Sequence, residues 1–381
     1  MHFSNCRRIK MKIAVITHIL HKQKNCEYYS YEPYIREMNI WFKYVSDVIV
    51  VAPLSGNSIT RIESKYLKET ISFKTIPQIS FLSILMTLKS TLKMPFIVFR
   101  ILKAMNAADH IHLRCPGNIG LVGCVLQIFF PKKPKTVKYA GNWDPNAEQP
   151  WSYRLQKKIL SNTRISKNIK VLVYGEWKDQ SKNIMPFFTA SFSKTDKINS
   201  VRKINTPYKF VFVGTLSEGK RPYFTIKLIE NLLQKGIPVT LEMYGNGIMK
   251  QVLEEYISIN NLDPFIKLMG NQNLCKVKEA YCNSHFLILA SKSEGWPKAI
   301  AEAMYFGCIP IATNISCVDW MLDYGKRGIL IKPNVESATR TIEDKLSDTL
   351  KLQEMSKSAM EWSQRYTLEC FGDAIESIFK A

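Results

Sequence analysis

Short apolar runs rich in β-branched residues recur along the whole chain, separated by stretches long enough for a helix, and this alternation limits the possible folds more than any other feature. In the first half the runs are KIAVIT at 12–17, VIVVA at 48–52, HIHLR at 110–114, TVKYA at 136–140 and KVLVY at 170–174. The pattern restarts with KFVFVG at 209–214, VTLEMYG at 239–245, IKLMG at 266–270, HFLILA at 285–290, IPIAT at 309–313 and GILIKP at 328–333. A strand followed by a helical crossover and another strand implies a parallel, doubly wound α/β sheet, and two such series imply two sheets. With 381 residues the chain is long enough for two domains, each burying most of its apolar surface.

Between the series lies SFSKTDKINSVRKINTP at 191–207, polar and without periodicity, which reads as an interdomain linker. The expected organisation is a first domain over 1–195, a linker over 196–208, a second domain over 209–360 and a final amphipathic helix over 361–381. The start, MHFSNCRRIKMKIAVIT, is basic, but its short apolar run reads as a first strand rather than a secretion signal, and Met11 is a second candidate start. Nine cysteines stand singly, with no CxxC pair and no histidine at metal-ligand spacing, which suits reduced thiols in a cytoplasmic protein and no metal site.

Charge separates the halves. Residues 1–200 carry 31 basic and 12 acidic side chains, net +19, whereas residues 201–381 carry 22 and 20, net +2. An excess confined to one half points to a polyanionic partner for that half, such as a membrane surface, nucleic acid or phosphorylated substrate. The longest apolar region, 81–105, is interrupted by Lys89, Lys93, Pro95, Arg100 and Lys103, so it does not read as a spanning helix. It reads as two short helices broken near Pro95, fitting either a half-buried core helix or an interfacial membrane-binding surface.

Ligands bind doubly wound sheets at the carboxyl ends of the strands. At 285–294 the run HFLILA delivers Ser291, Lys292, Ser293 and Glu294 to such an end, and Gly295, Trp296 and Pro297 lead into a helix that carries Lys298 and Glu302. Gly295 admits close backbone approach, and free amides at a helix start suit a phosphate or sugar oxygen. Glu294 and Glu302 are too far apart for an acid–base dyad and read instead as two contacts along one bound molecule. Other polar side chains at strand ends are His112, Arg114 and Asn118 in HIHLRCPGN, and Asn142 and Asp144 in KYAGNWDP. These suit an acceptor or a phosphate, and Arg114 equally suits partnership with a buried acid.

Glu294-Gly295, Glu302-Ala303-Met304, Gly307 and Ile309-Pro310-Ile311-Ala312-Thr313 together resemble the Glu-x7-Glu signature of the retaining GT-B glycosyltransferases of family 4, the group 1 type. Phe212-Val213-Gly214 with Lys220 resembles the diphosphate-binding loop of that family, and Tyr244-Gly245-Asn246-Gly247 resembles its turn near the nucleotide. The resemblance covers 209–332 with its elements in order. It implies two Rossmann-like domains facing across a cleft, a nucleotide-diphosphate sugar as donor, no metal and no cofactor. It implies that Glu294 meets the donor sugar, Glu302 the ribose and Lys220 the diphosphate, with Gly214, Thr215, Gly245, Asn246, Gly295, Trp296, Pro297 and Lys298 around them. Two departures stand out. Thr215 occupies the place where the family has an arginine, which leaves Arg221 as a candidate second cation, and THILHKQKN at 17–25 replaces the Gly-rich loop after the first strand.

The expectation is therefore a retaining hexosyltransferase acting on a glycan or lipid-linked glycan in surface polysaccharide synthesis, such as capsule or lipopolysaccharide. It would be peripheral on the cytoplasmic face of an anionic membrane, with no nucleic-acid partner. Alternatives are another GT-B activity, an epimerase acting on free nucleotide sugar or a phosphorylase, and a non-catalytic basic binding module with a relic donor site.

Overall fold

The computed structural model describes residues 9–60, 62–81, 83–198 and 202–380. Cys6 and the basic cluster at 7–8 lie outside the described residues, as does most of the middle of the expected linker. The chain forms two compact units, one of residues 1–188 with 372–381 and one of residues 189–371.

The first unit runs β1 (Ile9–Ile16), β2 (His21–Lys24), β3 (Glu27–Tyr31), α1 (Glu32–Trp41), β4 (Val45–Ser55), β5 (Glu63–Lys65), β6 (Ile71–Ile76), α2 (Ile84–Ala107), β7 (His110–Cys115), α3 (Asn118–Leu126), β8 (Lys135–Tyr139), α4 (Trp151–Ser161), β9 (Ile169–Tyr174) and β10 (Ile184–Phe187). Its sheet is ordered β10-β9-β8-β7-β1-β4-β2-β3-β5, with β6 also on β4. All five strands read from the apolar runs are present and pair in parallel. Their two buried faces explain why the runs are continuously apolar rather than alternating.

The segment 17–31 instead folds back as an antiparallel hairpin, β2 on β3, around Asn25 and Cys26, both at positive φ. Positive φ at both central residues is what a two-residue hairpin turn needs, and asparagine tolerates it better than most side chains. The weak, half-polar strands there carry too little apolar pattern to be legible in the sequence.

The break expected at Pro95 does not occur. Helix α2 runs unbroken for 24 residues with Pro95 inside it. A proline removes one helical hydrogen bond and crowds the preceding turn, but Ile97, Ile101, Ala104 and Met105 are buried along one side and hold the helix through it. Ser83 caps its first turn through Met86 N at 3.3 Å.

The second unit runs β11 (Tyr208–Val213), α5 (Pro222–Gln234), β12 (Val239–Tyr244), α6 (Lys250–Ile259), β13 (Ile266–Gly270), α7 (Leu274–Asn283), β14 (Phe286–Leu289), α8 (Lys298–Tyr305), β15 (Ile309–Thr313), α9 (Val318–Met321), β16 (Ile329–Ile331), α10 (Val335–Leu346) and α11 (Thr349–Ser363). Helix α12 (Leu368–Lys380) begins here, and its residues from 372 onward belong to the first unit. The six strands are all parallel in the order β13-β12-β11-β14-β15-β16. Strand order thus reverses between β11 and β14, the place where open α/β sheets leave a crevice.

Of the polar stretch at 191–207, Arg202 packs on this unit: its guanidinium donates to the carbonyl oxygens of Ser284 and Phe306. Each unit has its own apolar core, one around Ile16, Ile111, Leu113 and Val137, the other around Phe210, Phe212, Phe286 and Ile311.

Candidate functional site

In the second unit the loops after β11 and β14 meet at the reversal of strand order. Gly214 N donates to Tyr244 O at 2.9 Å, Leu216 N to Asn246 O at 3.0 Å and Met249 N to Leu216 O at 3.1 Å, so two loops lie backbone against backbone. Glycine is required there. A methyl group on Gly245, whose φ is +142°, would overlap the Gly214 carbonyl oxygen, and one on Gly247 would overlap that of Leu216.

The loop from Gly214 to Arg221 is then tied to the end of β14. Lys292 N donates to Gly219 O at 2.8 Å, and the Arg221 guanidinium donates to Ala290 O at 3.1 Å. Arg221 itself has φ +50°, ψ +50°, and Pro222 follows as the first residue of α5, so the turn and the helix start fix each other.

This framework brings the Lys220 ammonium and the Glu294 carboxylate into a salt bridge, with Lys220 29% and Glu294 9% exposed at the side chain. The fully buried Ser291 hydroxyl has no hydrogen-bond partner among the described residues, while its carbonyl accepts from Thr313 Oγ1 at 2.7 Å. A partly exposed ammonium, a carboxylate and glycine backbone at a crevice suit a polyhydroxylated phosphate ester.

Glu302 lies apart from this cluster. Its carboxylate accepts from the Ser191 hydroxyl at 2.5 Å and from the Tyr281 hydroxyl at 3.2 Å, and with Lys298 it borders a small depression. The Trp296 side chain, expected beside the donor, is buried 5.9–6.5 Å from the rings of Trp320, Trp362 and Tyr366. A large flat ring gains from packing with three others, and Trp296 also lines the small depression that Lys298 and Glu302 border. Gly295 O accepts from Cys317 Sγ at 3.3 Å, and Pro297 caps α8 rather than starting it. Thr215 and Asn246 lie in the two abutting loops.

The first unit corrects two further expectations. His112 and Arg114 do not face a ligand. Arg114 donates to Glu37 at 2.6 Å in an ion pair almost closed to water. Burial works against the guanidinium charge, but the Glu37 carboxylate outweighs it and raises the arginine pKa above its ordinary value. His112 is fully buried against Trp41, and its Nδ1 shares the Thr136 hydroxyl with His110 Nε2, at 2.9 and 2.8 Å. Burial, then the neighbouring His110 and Arg114, push the His112 pKa down to about 3. Burial followed by Lys170 and Lys135 does the same to His110. His112 and Arg114 turn inward because β7 is buried along its whole length, polar residues included, as parallel strands are on both faces.

Asn142 and Asp144 accept backbone amides of Asp144 and Asn146 at 2.9 Å and so build their own turn. Asn118, by contrast, lines a cavity of about 540 Å³. The cavity is bounded by the start of α3, by Gln78–Ser80, and by Met86, Lys89, Ser90 and Lys93 of α2. Ser90 pins its two sides by bonding Ser80 N and O at 3.0 and 2.9 Å. Sequence reading missed His18, Lys89 and Lys93 here, although the spacing of the two lysines by one helical turn was a usable signal.

Helix α2 also presents an apolar stripe to solvent. Leu85, Leu88, Leu92, Phe96 and Phe99, spaced three and four residues apart, are each 46–76% exposed, and Lys89, Lys93, Arg100 and Lys103 flank them. Among the described residues no helix is long and apolar enough to cross a membrane, and no group of three or more His, Cys, Asp or Glu side chains is placed to hold a metal ion.

Comparison with known proteins bears on this unit above all. Residues 193–362 match the family described as Glycosyl transferases group 1. An uncharacterized glycosyltransferase of Methanocaldococcus jannaschii is 29% identical over 33% of this chain and 34% of its own length. The capsular polysaccharide biosynthesis glycosyltransferase CapH of Staphylococcus aureus is 23% identical over 58% of this chain and 63% of its own. The chain thus spans about a third and somewhat under two thirds of these two curated relatives. In structure, HepE of Anabaena, solved with UDP and glucose, superposes with a TM-score of 0.69 at 16% identity, over 97% of this chain and 100% of that one. That likeness is one of fold, the GT-B architecture of two Rossmann-like sheets.

Proposed function

We propose that this protein is a retaining glycosyltransferase that moves a hexosyl group from a nucleotide-diphosphate sugar to a hydroxyl of a glycan or lipid-linked glycan in surface polysaccharide synthesis. One observation carries the reading: Lys220 and Glu294 are joined at the reversal of strand order, on loops that glycines hold backbone to backbone. The likeness of residues 193–362 to group 1 glycosyl transferases supports it.

In this reading the donor diphosphate displaces Glu294 from the Lys220 ammonium, and Glu294 turns to the hydroxyls of the sugar. The acceptor oxygen bonds to the anomeric carbon, the bond to the diphosphate oxygen breaks, and the acceptor proton passes to the departing diphosphate. Negative charge grows on the leaving oxygen, where a fixed cation is worth about 3 kcal/mol of barrier, the scale of an oxyanion-hole donor. Lys220 supplies that cation. Arg221, engaged with Ala290 O, acts chiefly by holding the loop. Gly214, Thr215, Gly245 and Asn246 contribute backbone around the nucleotide, and Glu302 meets the ribose after leaving Ser191 or Tyr281.

A thermal-shift screen against UDP, GDP, ADP and their sugar conjugates tests the donor claim. One of them should raise the melting temperature of the wild type and not of Lys220→Ala, and silence from all of them sinks it. The anomeric configuration of the product, read by NMR, tests retention.

The first unit is read as the acceptor side, peripheral on the cytoplasmic face of an anionic membrane. The flanked stripe on α2 supports this, because a bilayer surface is apolar at depth and anionic at the headgroups. Flotation with anionic vesicles at low salt should carry the protein upward, and protein left in solution refutes the membrane claim.

A further inference from the structure

The cavity beside α2 has chemistry of its own. Lys89 and Lys93 stand one helical turn apart on its wall, and neither makes an ion pair or hydrogen bond among the described residues. Among the described residues no Asp or Glu lines the cavity. Opposite the lysines, α3 starts at Asn118 with no side-chain cap on its first turn, so its amides and the positive end of its dipole face the same space.

His18 completes the ring. Gly117 leaves room for its imidazole, since a methyl group there would meet His18 Nδ1 at 2.6 Å. Donors and cations thus converge from two helices and a loop on a volume with no counter-charge. That arrangement favours a compact anion with several oxygens over a neutral sugar.

The same helix tells where the anion comes from. Leu88 and Leu92 are the chain neighbours of Lys89 and Lys93, so the exposed stripe begins less than half a turn around α2 from the cavity wall. A molecule with its phosphate between the lysines can lay its hydrocarbon along Leu88, Leu92 and Phe96.

We infer that this cavity seats the phosphate of a lipid-borne acceptor, which Lys89, Lys93 and His18 grip while the lipid chain runs out over α2. The inference rests on the acceptor reading of the first unit and gives that acceptor a chemical class, a lipid phosphate ester.

Calorimetric titration of the full chain with dihexanoyl phosphatidic acid, kept below its micellar concentration, tests it directly. The wild type should bind. Lys89→Gln with Lys93→Gln should bind about thirtyfold more weakly, the loss expected for two lysines at an anionic headgroup. Both side chains are exposed, so the variant should keep its fold.

Leu88→Ser with Leu92→Ser should leave binding of this soluble probe within about twofold, because the short chains need little of the stripe, yet lose flotation with phosphatidic acid vesicles. Lys220→Met should change neither. Unchanged affinity in the double glutamine variant overturns the inference, as does equal binding of dihexanoyl phosphatidylcholine. Loss on Lys220→Met alone also overturns it, by placing the probe in the donor site. Inorganic pyrophosphate binding as tightly as the lipid would remove the lipid and leave a free-phosphate site. Failed flotation with lysine-dependent binding of the soluble probe refutes only the membrane reading.

Discussion

Arg114, near the end of β7, and Lys220, in the loop after β11, each pair with a glutamate, and water treats the two pairs differently. Arg114 and Glu37 are closed off in the first unit, at 9% and 2% side-chain exposure, whereas Lys220 in the second keeps 29% beside Glu294. A planar guanidinium in a sealed pocket is locked to its carboxylate, because either charge left alone would pay the full desolvation cost. An ammonium on a flexible stem at a crevice can exchange one oxyanion for another at little cost. The same pairing of charges is therefore architecture in one unit and a candidate ligand contact in the other.

The sharpest way to break this contrast is to remove each acid. Glu37→Ala should cost about 3–5 kcal/mol of first-unit stability, since it strands a buried guanidinium. Glu294→Ala should cost less than about 1 kcal/mol, because water can reach Lys220. Urea unfolding followed separately for the two units measures both, and equal losses would erase the distinction.

Activity should show the reverse asymmetry. Lys220→Ala should lower kcat/KM about 10²–10³-fold with both units folded, whereas the lysine pair at 89 and 93 should act on the KM for acceptor. A Lys220→Ala enzyme within a few-fold of wild type would move the chemistry elsewhere.

Gly245→Ala should destabilise the second unit by about 2–3 kcal/mol, through both the strained φ and the overlap with Gly214. Gly236, at φ +75° with open space around it, should cost less on the same substitution, about 1 kcal/mol.

Acid should affect the first unit before the second. His110 and His112 have pKa values near 3, and His21 near 4, all lowered first by burial, whereas the second unit has only His285 lowered to about 4. The unfolded chain protonates these imidazoles near 6.5 and the folded one resists, so the unfolded state binds more protons. Stability is complete above pH 6.5 and falls from there toward pH 3, by about 1.4 kcal/mol per pH unit for each such imidazole. His112→Asn should flatten the pH dependence of first-unit melting, and an unchanged slope would show that other groups set it.

Some of this was legible in the chain. The continuous β-branched runs gave all eleven strands named from sequence, because burying both faces of a parallel sheet demands apolar residues at every position. Glu294 was named as a strand-end residue, and Lys220, Gly214 and Gly245 through the family resemblance; the structure places all four on loops of one unit that abut or pair. His112 and Arg114 were misjudged for one reason: a polar side chain at a strand end can turn inward, and packing partners such as those of Arg114 and Trp296 are distant in sequence. Glu37 lies 77 positions from Arg114, and Trp362 lies 66 from Trp296.

The sequence by itself determined the order of the eleven apolar strands, the uneven charge of the two halves and the glycines of the loops after β11 and β12, since these depend on local periodicity, composition and backbone freedom. Tertiary structure alone decided that α2 runs through Pro95, that Arg114 is sealed against Glu37 and that Lys89 and Lys93 share a cavity with His18 and Asn118. Those outcomes turn on burial and on contacts between distant segments. A local pattern can state which residues want to be buried or paired, but only the packed chain selects their partners and closes some of them to water.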